Sequence, residues 1–215
     1  AAAASLAQVH FGRLVSGEAV AVKVRKPGIR RRLETDLDLA GRFAARLQSH
    51  VPALRSIDLA GALAELRAGV LRELDFRHEA RHQAFFHARF PGDGPVFAPR
   101  VYAELSSEQV LVMERVDGLP VAAAVALPLA ARRRLAAAGA DALLRQAFLF
   151  GFFHGDPHAG NLLVTRDERL CFLDWGLTGH LTPRLRAALA DFWTAAVAQD
   201  AEALVRCRRA RVLTA

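Results

Sequence analysis

Residues 154–164 read HGDPHAGNLLV, and residues 171–176, a short distance further along the chain, read CFLDWG. The first stretch has the pattern Asp-x₄-Asn, formed by Asp156 and Asn161, and the second ends an apolar run at Asp174. Transfer of a phosphoryl group needs a carboxylate that orients the nucleophile and accepts its proton, and Asp156 fits this role. Mg²⁺ prefers oxygen ligands, which Asn161 and Asp174 supply from two neighbouring turns. The two stretches therefore predict a phosphotransfer site built on one short hairpin.

A lysine earlier in the chain extends this pattern. Lys23 lies in residues 19–24, AVAVKV, which alternate as a strand does. In protein kinases a strand lysine of this kind contacts the nucleotide phosphates, and a helical glutamate holds it in place. The order of Lys23, Asp156, Asn161 and Asp174 along the chain matches that of the protein kinases. Aminoglycoside and choline kinases share the HGD-x₄-N part, so a small-molecule phosphotransferase is an alternative.

Residues 111–118, LVMERVDG, resemble the hinge of a kinase. On this interpretation the backbone groups of Glu114 and Val116 bind adenine, and Met113 lies at the back of the pocket. A buried strand that enters a turn is equally compatible with these residues.

The ordered set of motifs resembles the UbiB/AarF-type atypical kinase family, also called the ABC1 kinase family. Residues 1–10, AAAASLAQVH, resemble the alanine-rich loop that replaces the glycine-rich loop in that family. Residues 72–80, RELDFRHEA, resemble its ExD motif followed by a helical glutamate, and HGDPHAGN resembles its catalytic loop. The resemblance covers nearly the whole chain.

This resemblance implies an enzyme that uses ATP and Mg²⁺ and has a role in isoprenoid-quinone (ubiquinone-type) lipid metabolism. Trp175 stands where the family has a phenylalanine, and the family's KxGQ extension is not in the sequence. The chain stops soon after the helix that follows DWG, so we expect a truncated helical lobe. The resemblance implies poor activity on proteins, so we expect a lipid or small molecule, rather than a protein, to accept the phosphoryl group. The resemblance assigns roles as follows: Ala3, Ala4 and Ser5 lie over the phosphates, Lys23 pairs with Glu79, Glu73 and Asp75 are the ExD acids, Asp156 is the catalytic aspartate, and Asn161 and Asp174 bind the metal.

The segregation of strands and helices predicts an α+β fold, and Asp117-Gly118 is the candidate lobe boundary. The resemblance implies a two-lobed, protein-kinase-like arrangement of residues 1–117 and 118–215, with ATP in the cleft between them. Strands are expected in the first lobe at 8–15 and 19–24, followed by inserted helices at 29–50 and 58–90 and by a hairpin of 96–105 with 109–116. The second lobe is expected to be mainly helical, with helices at 128–153 and 183–209 and short strands at 162–164 and 170–173.

The composition of the chain limits which cellular locations and which binding partners are expected. It has 215 residues, 53% of them hydrophobic, and a net charge of +7. Its two cysteines, Cys171 and Cys207, form no disulfide framework, so we predict a cytoplasmic location. Arginine clusters at 30–32, 132–134 and 206–211 suggest contact with an anionic membrane surface. No aromatic stacking motif accompanies them, so nucleic acid is not an expected partner.

Two further alternatives remain. Residues 78–82, HEARH, spell the zinc-protease signature HExxH, with Glu79 as the base. That interpretation leaves Lys23 and the HGD and DWG motifs without a role. The other alternative is a nucleotide-binding, pseudokinase-like module with weak or no catalysis.

Overall fold

The computed structural model describes residues 2–3, 6–51, 54, 57–90 and 92–209, and it describes side chains for these residues except 2, 3, 208 and 209. The strands are β1 (Ala2–Ala3), β2 (Ala7–Arg13), β3 (Ala19–Arg25), β4 (Val96–Phe97), β5 (Val110–Glu114), β6 (Gly118–Pro120), β7 (Phe152–His154), β8 (Leu162–Thr165), β9 (Leu170–Phe172) and β10 (Thr178–His180). The helices are α1 (Ile29–His50), α2 (Leu59–Glu73), α3 (Phe76–His87), α4 (Leu129–Leu144), α5 (Pro183–Val197) and α6 (Ala201–Arg209).

The chain forms two compact units, which consist of Ala1–Arg89 with Ala98–Val116, and of Phe90–Phe97 with Asp117–Ala215. The first unit contains the sheet of β1, β2, β3 and β5 together with helices α1, α2 and α3, and the second contains the remaining strands and helices, so the predicted α+β class is confirmed.

The first unit contains an antiparallel sheet in the order β1-β2-β3-β5. Because side chains alternate along a strand, Ala21 and Lys23 of β3 face one side of this sheet, and Val20 and Val22 face the other. Helix α3 covers the side that carries Lys23. The buried cluster on that side consists of Ala7, Ala21, Phe76, Ala80, Leu111 and Met113.

Two residues, Leu74 and Asp75, separate the helical stretch at 58–90 into two helices. Asp75 adopts an extended conformation between α2 and α3, and its carboxylate accepts a hydrogen bond from the backbone N–H of Arg77. This cap starts a new helix, so Glu79 falls in the first turn of α3.

The predicted hairpin of 96–105 with 109–116 forms only in part, between residues 100–107 and 110–114. Val96–Phe97 pair in parallel with β9 of the second unit, and residues 103–105 form a 3₁₀ turn. Pro99 interrupts the stretch because proline has no N–H to donate to a sheet. Beyond Pro99, Val101 bridges to Met113 of β5, and Tyr102 donates its backbone N–H to the carbonyl of Val112 over 2.9 Å.

The second unit contains a four-stranded sheet in the order β4-β9-β8-β6 and a two-stranded ribbon of β7 and β10. Helix α4 continues as a π-helical turn, Arg145–Phe150, and ends at Gly151, whose φ of 64° suits glycine. The predicted helix at 128–153 therefore ends earlier, and β7 begins directly after Gly151. The predicted helix at 183–209 is interrupted at residues 198–200 and forms α5 and α6. Within the described residues, no helix has both the length and the apolar character needed to cross a membrane.

Candidate active site

Lys23 and Glu79 form a buried ion pair in the first unit. The Nζ atom of Lys23 lies 2.9 Å from both carboxylate oxygens of Glu79, although the two residues are 56 positions apart in the sequence. The side chains are only 11% and 4% exposed, and the ring of Phe76 lies 5.4 Å from the Lys23 amine. Because a buried charge is costly unless it is paired, this carboxylate fixes the position of the amine on the sheet.

Met113 lies on the same side of the sheet. It pairs with Ala21 across β3 and β5 and is 8% exposed. Glu114, the next residue, donates its backbone N–H to the carbonyl of Arg100 over 2.8 Å, and its carboxylate accepts the Arg100 N–H over 3.1 Å. Val116 is the last residue of the first unit. Adenine binding at these residues stays a prediction.

The two ExD acids occupy different environments. Glu73 is the last residue of α2 and is exposed, whereas Asp75 caps α3 and forms a bidentate ion pair with the Arg77 guanidinium. The side-chain hydrogen bond from Arg77 lowers the pKa of Asp75 from 3.8 to about 2. Asp75 therefore has a structural role at the start of the helix that carries Glu79. The predicted phosphate-loop residues Ala4 and Ser5 lie outside the described residues, and Ala3 is described only as backbone in β1.

In the second unit, the catalytic-loop stretch connects β7 to β8. Asp156 is exposed, two residues beyond the end of β7, and Asn161 ends a 3₁₀ turn just before β8. The Asn161 side chain donates its Nδ2 to the Asp156 carbonyl over 3.1 Å, so its Oδ1 is the atom left to bind a cation. The backbone N–H of Leu173 donates to the Asn161 carbonyl over 2.8 Å, which brings Asn161 and Asp174 to the same end of the β8–β9 pair.

The imidazole of His154 connects the two motifs. Its Nδ1 accepts the backbone N–H of Asp156 over 3.1 Å, so the neutral ring carries its proton on Nε2 and donates it to the Leu173 carbonyl at 2.9 Å. The ring is buried, and this burial lowers the pKa of His154 from 6.5. Burial therefore favours the neutral form that both hydrogen bonds require.

Trp175 holds the turn around Asp174. It is fully buried, donates its indole N–H to the Phe172 carbonyl over 3.1 Å, and packs against His154 with ring centroids 4.7 Å apart. Asp174 itself adopts a φ of 55°, a conformation that non-glycine residues rarely adopt. Such strained backbone is concentrated at functional sites, because the surrounding structure has to hold it in place.

Oxygen atoms of Asn161 and Asp174 match the ligand preference of Mg²⁺, which usually takes one or two protein ligands together with phosphate oxygens. Within the described part of the chain, no group of three or more His, Cys, Asp or Glu side chains is placed to hold a metal ion.

The geometry gives the zinc-protease interpretation no support. Glu79, the base in that interpretation, is bound to Lys23. The Nδ1 atom of His78 accepts a hydrogen bond from Arg81 at 2.9 Å, and the ring centroids of His78 and His82 are 6.5 Å apart. The glutamate of the HExxH pattern is therefore paired with Lys23 and does not act as the base of a zinc site.

Sequence reasoning assigned no role to Gln146, His154 or His158. Gln146, in the π-helical turn, is fully buried and accepts the backbone N–H of His154 on its Oε1 at 2.9 Å. A polar residue within the apolar run LLRQAFLFGFF was the available signal for it. The two histidines were visible in HGDPHAGN, but the sequence did not show which atoms they contact.

The fold and the two sets of site residues define a protein-kinase-like domain. The family model of the ABC1 atypical kinase-like domain matches residues 1–208. The chain belongs to this family.

Individual relatives agree with this assignment. An uncharacterized protein of Synechocystis sp., sll1770, is 37% identical over 95% of this chain and 35% of its own length. ACTIVITY OF BC1 COMPLEX KINASE 3, a chloroplastic protein of Arabidopsis thaliana, is 33% identical over 95% of this chain and 29% of its own length. The chain thus spans about a third of the length of these curated relatives.

A solved structure shows the same fold. The complex of Rv3197 with erythromycin from Mycobacterium tuberculosis matches with a TM-score of 0.79 at 27% identity. The match covers 96% of this chain and 52% of that chain.

Proposed function

We propose that this chain is the nucleotide-binding and catalytic domain of an ATP- and Mg²⁺-dependent atypical kinase or ATPase. The observation that carries the proposal is the buried ion pair of Lys23 and Glu79, with Nζ 2.9 Å from both carboxylate oxygens. A buried lysine held in this way presents a fixed positive charge, which a nucleotide phosphate can use.

The catalytic loop supports the chemical step. The Asp156 carboxylate orients the acceptor hydroxyl or a water and takes its proton while the acceptor oxygen bonds to the γ-phosphorus and the bond to ADP breaks. Asn161 and Asp174 would hold Mg²⁺, which would supply positive charge to neutralise the phosphates. His154 connects the two motifs, because its ring accepts the backbone N–H of Asp156 and donates to the carbonyl of Leu173, the residue before Asp174.

The acceptor and the biological role are further parts of the proposal. We infer that the acceptor is a lipid or small molecule and that the activity serves isoprenoid-quinone metabolism, since the family resemblance favours both. Location is cytoplasmic in this proposal, with peripheral contact to anionic membrane through the arginine clusters. Membership of the ABC1 family supports a kinase-like activity in general.

The test compares ATP binding with ATP turnover in the purified protein. Wild type should bind Mg-ATP and release ADP, and Asp156→Asn should bind equally well but lose at least about 100-fold in kcat, the usual scale of acid–base catalysis. Asp141→Asn, an exposed aspartate in an i,i+4 pair on α4, is the matched control and should keep wild-type turnover. Binding without any turnover in wild type would instead favour the pseudokinase-like alternative.

A further inference from the structure

The side chain of His158 is fixed by its own turn and faces the catalytic aspartate. Its Nδ1 accepts the backbone N–H of Gly160 at 2.9 Å. Its Nε2 lies 3.5 Å from Oδ2 of Asp156. Both side chains are about half exposed, 57% for His158 and 51% for Asp156, so an incoming acceptor can reach the carboxylate.

The hydrogen bond from Gly160 determines where the ring proton lies. Since Nδ1 uses its lone pair to accept that bond, the neutral ring carries its hydrogen on Nε2, the atom that faces Asp156. A separation of 3.5 Å is longer than an ordinary hydrogen bond. Catalytic hydrogen bonds are often long without substrate and shorten in the reactive complex.

The lack of a side chain at Gly160 independently indicates that the loop is shaped to hold the His158 ring in this position. A Cβ atom at residue 160 would lie 2.6 Å from Cε1 and 3.0 Å from Nδ1 of His158. Real Cβ atoms do not approach other atoms so closely, so any larger residue at this position would displace the imidazole. The sequence His158-Ala159-Gly160 therefore holds the ring against its own backbone.

We propose that His158 is a positioning residue for Asp156. Its Nε2–H donates to Oδ2 and fixes the carboxylate rotamer, which leaves Oδ1 to accept the proton of the acceptor. This inference rests on the proposed phosphotransfer function. A ring that only capped the 3₁₀ turn would need Nδ1 alone, whereas this ring also directs Nε2 at the carboxylate.

Three substitutions of His158 distinguish the role of Nδ1 from the role of Nε2. Asparagine in His158→Asn can accept the Gly160 N–H but cannot reach Asp156. Glutamine in His158→Gln can reach Asp156 but lacks the atom that accepts from Gly160, and His158→Ala lacks both. We expect kcat to fall about 10- to 100-fold in the Asn and Ala variants, with partial recovery in the Gln variant and an unchanged KM for ATP. The melting temperature should follow a different order, with Asn close to wild type and Gln and Ala lower.

His180→Asn, at an exposed histidine of β10 in the same unit, is the control and should keep wild-type kcat. A wild-type kcat in His158→Asn would overturn the proposal, because the cap would then be the only role of the ring. A raised KM for ATP at unchanged kcat would also overturn it, since the ring would then bind nucleotide.

Imidazole ¹⁵N shifts provide a readout that does not depend on turnover. In mildly alkaline buffer the wild-type ring should show the Nε2–H tautomer, and the Nε2 signal should move in Asp156→Ala. Gly160→Ala should return the ring to a mixture of tautomers. If wild type shows no turnover but these shifts appear, the proposed function fails while the contact stands. If the Nε2–H tautomer is absent, or Nε2 does not respond to Asp156→Ala, the positioning proposal fails.

Discussion

At the scale of single residues, the Lys23–Glu79 pair links stability to function. Glu79→Gln leaves the buried ammonium without a charged partner, so we expect a loss of about 3 kcal/mol in the free energy of unfolding. ATP turnover should fall as well, because the amine is no longer held in place. Urea denaturation and a steady-state ATPase assay measure the two effects.

Two further variants test whether the loss comes from the unpaired charge. Glu34→Gln removes an exposed i,i+4 partner of Arg30 and should change stability by less than about 0.5 kcal/mol. The double variant Lys23→Met with Glu79→Leu removes both buried charges and should regain most of the stability but none of the turnover. Full turnover in that double variant would show that the pair has no part in catalysis.

Asp75 gives a pH-dependent prediction. Its pKa is lowered from 3.8 to about 2 by Arg77, so its ionised form stabilises the folded state. This contribution is complete above pH 3.8 and is lost as pH falls through about 2. Asparagine can also cap a helix, so Asp75→Asn removes the charge and largely keeps the cap. Wild type should be more stable than Asp75→Asn at neutral pH, and urea midpoints should converge as the pH falls to about 2. A gap that stays constant over this range would contradict the assignment.

At the residue scale, the sequence motifs predicted which residues belong to the candidate site better than they predicted which atoms those residues contact. Lys23 and Glu79 were identified because each belongs to a short pattern, and the structure places their charged atoms together. The rings of His154 and His158 each accept a hydrogen bond from the backbone N–H two residues further along the chain. The His154 ring also donates to a backbone carbonyl 19 residues away. Such contacts follow from the local turn geometry, which residue type alone does not specify.

At the scale of elements, the π-helical turn Arg145–Phe150 positions the start of the catalytic loop. Its Gln146 accepts the His154 N–H, and the Gln146 Nε2 is buried with no hydrogen-bond partner among the described residues. Gln146→Met would leave the His154 N–H buried and unsatisfied, which costs about 1–3 kcal/mol. Urea unfolding should show this loss, and amide hydrogen exchange at His154 should become faster.

Gln109→Met, at an exposed glutamine in a turn, is the control for this element and should leave both measurements unchanged. If exchange at His154 stays as slow in Gln146→Met as in wild type, the turn does not hold the loop.

The sequence carries a signal for some element boundaries, a capping residue or a glycine, although the predictions at 58–90 and 128–153 did not place them. The division at Asp75 follows from its capping side chain, and the end of the π-helical turn follows from Gly151. Pairing between distant strands was not predictable. Val96–Phe97 pair with β9, more than 70 residues away, and the Arg169 side chain fixes this segment by donating to the carbonyls of Gly92 and Gly94. Nothing in the local pattern of residues 90–97 indicates that partner.

At the scale of the whole molecule, the order of the motifs was enough to predict the fold class. The strand lysine, the helical glutamate and the two carboxylate turns belong to different elements, so their order along the chain restricts how the chain can be folded. The match to the Rv3197 structure, at a TM-score of 0.79, agrees with this restriction.

Binding of Mg-ATP should raise the stability of the whole chain, because a ligand stabilises the state that binds it. At about 100 times its Kd the gain is about 2.7 kcal/mol, or a rise of about 5–10 °C in Tm for a chain of this size. Asp174→Asn replaces a metal-binding carboxylate with an amide, so its rise should be below about 2 °C, and adding EDTA to wild type should have the same effect. Asp141→Asn, an exposed change in the same unit, should keep the full rise. An equal rise in Asp174→Asn, or in wild type with EDTA, would mean that ATP binds without the metal ligands proposed here.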